Sequence, residues 1–271
     1  MTRLRRETRV FFTAMMFLTR LPVPPSTDHR PEYLQEAPRY FPWIGLLVGL
    51  IAAGVYGVAA LLFPPGIALA LSIAGGILVT GAFHEDGFAD VCDGFGGGWT
   101  KEKILAIMKD SRLGTFGVTG LISILALKFL ALQPLTRQRW PVSLTAGGAG
   151  IALGLLLLAH AASRFFAVLV MQFFPYAGDP ETGKSRDVTR QRLNPTGLVV
   201  AAAALIPPFA LIPPAYALTL VPAGLIAYGL AKYFVRWIGG YTGDCLGAIQ
   251  QVTELSVYLG AYIIYSRWLP I

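Results

Sequence analysis

From Ile44 to Tyr265 the chain divides into long apolar runs, separated by prolines, glycines and short basic loops. A run of about 20 apolar residues can cross the ~30 Å hydrocarbon core of a bilayer as a helix. Inside lipid every backbone N–H and C=O must be satisfied within the protein, so such runs fold as helices. Composition points the same way. Hydrophobic residues make up 55% of the chain and charged residues 14%, where soluble domains carry roughly a quarter, and mean hydropathy is +0.59. The expected fold is all-α: a polytopic integral membrane bundle forming one membrane-embedded domain over residues 1–271, with residues 1–40 as an N-terminal interfacial helix and its connection.

The runs count to about seven spans. The first covers Ile44 to Phe63 and stops at Pro64-Pro65; the second covers Ile67 to Phe83. Others follow over Phe116–Leu132, Leu144–Phe174 and Leu246–Tyr265. Leu198–Ile238 is broken by Pro207-Pro208 and Pro213-Pro214, so it reads as two spans joined by a tight turn rather than one kinked span. At the N-terminus Arg3, Arg5, Arg6 and Arg9 precede the short apolar run Val10–Leu18. This imitates a signal peptide, but no small-residue cleavage site follows, and an interfacial helix is expected.

The net charge of +7 is not a nucleic-acid signal, because the basic residues lie between apolar runs with no basic-aromatic patch. It reads as topology. With the N-terminus in the cytoplasm, the arginine-rich start, Glu85–Arg112 and the Pro175–Pro195 loop all fall inside. Seven spans also put Gly240–Asp244 there, so all the candidate chemistry faces the cytoplasm from the inner membrane. Cys92 and Cys245 have no CxxC spacing, which argues for two ordinary thiols and against a disulfide framework or zinc site.

Four of fifteen acidic residues fall between Glu85 and Asp93. On a helix Asp86, Asp90 and Asp93 stand at i, i+4 and i+7, on one face. Three like charges there call for a cation, and carboxylates without thiols or paired histidines suit a hard one such as Mg²⁺. A solvated acidic helix cap would have a similar composition, but Gly87 and Gly94 suggest close approach of another molecule. After one polar loop comes Lys109-Asp110-Ser111-Arg112-Leu113-Gly114-Thr115, a basic and hydroxylic helix entry that resembles an anion cradle or, equally, a positive-inside flank. Gly239 to Gly247 surrounds Asp244, which is either a further metal ligand or a helix N-cap. Lys128, His160, Arg164 and Glu254 lie in or beside apolar spans, where ionisable groups are costly and usually paired or functional. Lys128 and Glu254 could pair, and Arg164 could reach a phosphate.

These segments, with Phe17-Leu18-Thr19-Arg20-Leu21-Pro22-Val23-Pro24 and Phe41-Pro42-Trp43-Ile44-Gly45, resemble the cobalamin synthase family, the adenosylcobinamide-GDP ribazoletransferases. The block from His84 to Gly94, with Asp-Ser-Arg-x-Gly-Thr one loop later, carries the resemblance most specifically. It implies a Mg²⁺-dependent enzyme that joins α-ribazole, or its 5′-phosphate, to adenosylcobinamide-GDP and releases GMP. It further implies Asp86, Asp90 and Asp93 as metal ligands, Glu85 and Asp244 as additional ones, and Lys109, Ser111 and Arg112, with Arg164, as phosphate contacts. His84 or a carboxylate would be the base. A homo-oligomer, or association with other cobalamin-assembly enzymes, would be compatible.

Two other classes compete. CDP-alcohol phosphotransferases have an Asp-Gly-x-x-Ala block followed by arginine, whereas here one residue separates Gly87 from Ala89, and Asp90 stands at the arginine position. The aspartate pattern of membrane prenyltransferases is absent. A transporter would bring Lys128 and Glu254 together at mid-membrane as coupling residues.

Overall fold

A computed structural model describes residues 3–25, 27, 30–136, 148–178 and 192–268, and among them there is no strand, only an isolated bridge from Tyr176 to Tyr241. The expected loop with Arg137 and Arg139, the start of the Leu144 run, and Lys184, Arg186 and Arg190 lie outside the described residues. The N-terminal helix, α1, spans Arg3–Leu18. Its Ala14, Met15 and Leu18 pack in one cluster with Phe41, Ile44 and Val48, and with the buried Val10 they form a helical stripe turned to the core. Its polar side is tied by Arg6 to Glu36 and by Glu7 to Arg39 at 3.0 Å.

After α2 (Pro31–Glu36) and a short 3₁₀ turn come α3 (Phe41–Ala59) and α4 (Pro65–Thr80). Then follow α5 (Phe83–Gly97), α6 (Lys101–Met108), α7 (Thr115–Leu132) and α8 (Gly148–Phe173). The chain ends with α9 (Pro195–Ala203), α10 (Leu220–Ile238) and α11 (Gly243–Trp268). Among the described residues, four stretches are long and apolar enough to cross a membrane: Pro31–Ala59, Thr115–Thr136, Gly150–Phe173 and Pro214–Ile238. The pair α4 and α5 would make a fifth only as one span bent by 90°.

That is fewer than the seven expected, for three local reasons. Helix α4 has 16 residues, about 24 Å of rise. The proline-broken region does give two apolar pieces, but the first, Pro195–Ala210, is short. Helix α11 has 26 residues, ample length, yet it carries Gln250, Gln251 and Glu254 in its middle.

The bundle is apolar outside and partly polar within. Leu61, Ile122, Leu225 and Val199 are exposed, while Lys128, Arg164, Gln250, Gln251 and Glu254 are buried. Small residues set the packing of α3 on α8, as is usual where helices meet in lipid. A Cβ on Gly45 would strike the His160 carbonyl oxygen, and one on Gly49 would come to 3.0 Å from that of Leu156. Gly54, by contrast, faces open space. Gly45→Val is therefore expected to cost about 1–3 kcal/mol or more by overpacking, and Gly54→Val close to nothing. Thermal unfolding of the two variants in detergent checks this; equal midpoints would contradict the packing.

Candidate active site

The acidic helix is placed by an abrupt turn. Gly81 (φ 65°) and Ala82 (φ 58°) are both left-handed, and α5 leaves α4 at 90°. Glycine adopts that conformation without cost, whereas an alanine is strained. Arg20 packs over Gly81 where a Cβ would otherwise be, and its N–H donates to the Val79 carbonyl at 2.7 Å. The turn therefore lays α5 across the ends of its neighbours instead of letting it continue α4.

Across α5 runs the first turn of α11. A Cβ on Gly87 would lie 2.9 Å from Asp244 Cα, and one on Gly247 would lie 3.0 Å from the His84 carbonyl oxygen. The expectation that Gly87 admits another molecule is thus corrected: it admits α11. Gly94 likewise faces Met108 and Ile104 of α6. The consequence for chemistry is that Asp244 stands beside Asp86 and Asp90, as a shared site requires. Burial first, then the charges of Asp244, Asp86 and Asp93, push the Asp90 carboxyl up to about 7. The capping role considered for Asp244 falls to Thr242, whose hydroxyl oxygen accepts the Cys245 N–H at 3.3 Å.

Asp93 has a different task. Its two carboxylate oxygens accept the N–H of Gly114 at 2.7 Å and of Gly117 at 2.8 Å. A Cβ at either glycine would run into that carboxylate. The helix entry read as an anion cradle does hold an anion, and it is the protein's own Asp93. Asp93 is buried, so although it lies on the helix face with the other aspartates, it ties α5 to α7. The same bond positions the Lys109–Thr115 loop. Arg112, 87% exposed, forks onto Asp110 at 2.6–3.1 Å, and its guanidinium holds Asp110 down at about 2. Lys109 and Ser111 are exposed beside it.

Glu85 turns inward, away from the metal role assigned to it. Its Oε1 accepts the Gln251 amide at 2.8 Å, while its Oε2 is buried without a partner. From there a polar network crosses the bundle. Lys128 donates to Gln251 at 2.7 Å and to Glu254 at 2.9 Å. His160 Nδ1 lies 3.3 Å from Glu254, and Gln250 bonds Glu254 at 2.5 Å and Ser163 at 3.2 Å. The expected Lys128–Glu254 pair is present, inside a narrow cavity with about 30 Å³ of room for water, enough for one or two molecules. Arg164 belongs to this interior, donating to the His160 carbonyl at 3.0 Å, and His84 is buried beside it. The adjacent glutamines, polar in the midst of a span, were the overlooked signal for the network.

Among the described residues no three His, Cys, Asp or Glu side chains converge as a ready metal-holding group. That does not make the donors unsuitable for Mg²⁺, which usually takes one or two carboxylates and fills its octahedron with water and substrate phosphate. Asp86, Asp90 and Asp244 supply hard oxygen donors with mutually repelling charge, and they fit such an ion. Asp93 and Glu85, committed elsewhere, fit it less well.

A family model for cobalamin-5-phosphate synthase matches residues 10–262. The chain belongs to the cobalamin-5-phosphate synthase family. Among curated relatives, the adenosylcobinamide-GDP ribazoletransferase of Leptothrix cholodnii is 43% identical over 266 residues, covering 96% of this chain and 97% of its own. Those of Shewanella frigidimarina and Leptospira interrogans are 41% identical over 255 residues, covering 94% of each chain, and 40% identical over 279 residues, covering 98% of this chain and 99% of the relative. No solved structure matches significantly. The cobalamin-5-phosphate synthase match spans both halves of the site, from the Phe17 segment to α11, and it bears out the resemblance carried by the His84–Gly94 block. The transporter reading, although the polar meeting it requires is present, has no such support.

If Asp93 is a structural tie, Asp93→Ala leaves the buried Gly117 N–H and the half-buried Gly114 N–H without acceptors and costs about 1–3 kcal/mol. The Asn variant, which keeps one acceptor, costs less. Limited proteolysis at Lys109 and Arg112 together with thermal unfolding would register this. An Asp93→Ala protein as stable and protease-resistant as the parent would contradict it.

Proposed function

We propose that the chain is a membrane-embedded transferase that joins α-ribazole, or its 5′-phosphate, to adenosylcobinamide-GDP and releases GMP, in cobalamin biosynthesis. The observation that carries the reading is the meeting of Asp86 and Asp90 on α5 with Asp244 on α11, in a chain of this family. A ribose hydroxyl attacks the phosphorus that bears the cobinamide side; the bond from that phosphorus to the GMP oxygen breaks, and GMP leaves. Asp86, Asp90 and Asp244 would hold Mg²⁺, which when bound neutralises diphosphate charge and stabilises the leaving phosphate.

The protein's own residues supply the remainder. Arg112 exchanges Asp110 for a phosphate oxygen, with Lys109 and Ser111 beside it, on a loop that Asp93 fixes relative to the carboxylates. Preorganised charge of this kind accounts for much of phosphoryl-transfer catalysis. His84 is shut behind α11, which leaves a carboxylate of the open face as the group placed to take the hydroxyl proton. The distribution of basic residues supports a cytoplasmic orientation in the inner membrane, the side on which a nucleotide substrate would be met.

GMP release from the two substrates, followed in purified protein, tests the reading. Chelation is expected to abolish it and Mg²⁺ to restore it; full turnover after thorough chelation would remove the metal. Asp86→Asn, Asp90→Asn and Asp244→Asn are each expected to lower the rate at least 100-fold in folded protein. Three near-parental rates would remove the site.

A further inference from the structure

Away from the carboxylates, α8 and α10 part to leave a groove on the outside of the bundle. It is walled by the end of α8, from Phe166 to Phe174, and by Gly224, Ala227 and Tyr228 of α10. On the measure that gives the polar cavity around Glu254 about 30 Å³, this groove has about 400 Å³ of room. Small residues leave the α10 side bare, and a Cβ on Gly224 would lie 3.1 Å from the Phe166 ring. Toward the other end Phe174 stands edge-on to Tyr228 at 5.9 Å. Apart from the Tyr228 hydroxyl the lining is apolar. Phe173 and Tyr228 are 66% and 58% exposed, and Val221 and Leu225 continue the exposed side of α10. The groove therefore opens on a surface that lipid covers.

The following two turns of α10 are basic. Lys232 and Arg236 stand at i+4 and i+8 from Tyr228 and are exposed, and among the described residues neither forms an ion pair. Four helical residues rise about 6 Å, so Lys232 lies one turn beyond the groove and Arg236 two. That end of α10 is at the membrane surface. Phe95 of α5, the helix laid across the ends of its neighbours, meets Tyr233 and Phe234 at 5.2 and 5.4 Å between ring centroids. Trp237 adjoins Tyr233 at 6.2 Å. Tyrosine and tryptophan gather at headgroup level in just this way. A basic flank alone is ordinary for a membrane helix; here it stands at the mouth of a deep apolar groove.

The two halves together limit the occupant. A polar small molecule would find a single hydroxyl in the wall. A second copy packed about a two-fold axis along the membrane normal would set Lys232 and Arg236 toward the same residues of its mate, like charge against like. A zwitterionic lipid fills the groove but brings no net charge to the two cations. A lipid with an anionic headgroup satisfies both, because its tail runs inward from the level at which its phosphate meets the basic residues.

We propose that the groove and the basic end of α10 form a binding site for an anionic phospholipid, with one acyl chain lying between α8 and α10 and the phosphate on Lys232 and Arg236. Full-length protein in zwitterionic nanodiscs tests it, doped with phosphatidylglycerol or phosphatidylethanolamine that carries the same photoreactive group in the tail. Labelling of residues 166–174 and 220–228 is expected to be at least tenfold stronger with phosphatidylglycerol. Replacing both cations, Lys232→Gln with Arg236→Gln, is expected to bring it down to the phosphatidylethanolamine level. Leu169→Trp, which fills the groove, is expected to remove labelling there by either lipid.

Equal labelling of the parent by the two lipids, or a preference that survives loss of both cations, would overturn the site. So would a groove that stays unlabelled in the parent while cysteines placed at Phe173 and Leu225 cross-link two copies, since a second chain would then be the occupant. Should Leu169→Trp fail to fold, the double glutamine variant decides, because both of its positions are exposed.

Discussion

The close crossing of α5 and α11 is the contact on which the site depends. Neither helix is catalytic by composition alone: one is a short acidic segment, the other a long helix with a single aspartate in its first turn. Gly87 and Gly247 let their backbones approach, and that brings Asp244 to Asp86 and Asp90. The 90° turn at Gly81-Ala82 sets the angle of approach. A side chain at Gly87 would separate the carboxylates before it touched any substrate. Glycine at this position acts through packing, with chemistry as its consequence.

Beneath the crossing the bundle is held by charge in a place where charge is costly. Glu254 gathers Lys128, His160 and Gln250, and Gln251 links the group to Glu85. Taking such groups out of water has a large penalty, recovered only when geometry and hydrogen bonds are nearly complete. Here they join α5, α7, α8 and α11, helices whose outer faces have only lipid-like surfaces to offer one another. Removing one partner would leave the others buried and unmatched, so the network specifies which helices meet. The two atoms it leaves unmet, Glu85 Oε2 and Arg164 Nε, belong to residues that line one cavity with His84.

Much of this was legible in the sequence. Apolar run length announced a membrane bundle, and the i, i+4, i+7 spacing placed the aspartates on one helix face. The cost of lone charges in lipid marked Lys128 and Glu254 as residues that could pair, and they do. What was not legible depends on partners distant in sequence. Nothing near Asp93 says that it accepts the amides of Gly114 and Gly117, and nothing near Gly87 says that Asp244 lies against it. Glu85 reads as one more carboxylate until Gln251 is seen to turn it inward. The expected spans and the stretches that meet both length and composition, among the described residues, part where those two disagree: α4 is apolar but short, and α11 is long but polar inside.

The central claim is that Asp86, Asp90 and Asp244, from two helices, act as one cation-holding face from which Asp93 and Glu85 are excluded by their own bonds. Mn²⁺, used in place of Mg²⁺ and followed by electron paramagnetic resonance in purified protein with substrate diphosphate present, measures it directly. Asp244→Asn is predicted to weaken Mn²⁺ binding at least tenfold, as much as Asp86→Asn, while Glu85→Gln leaves it within twofold of the parent. Unchanged binding in Asp244→Asn, or a tenfold loss in Glu85→Gln, would contradict the account.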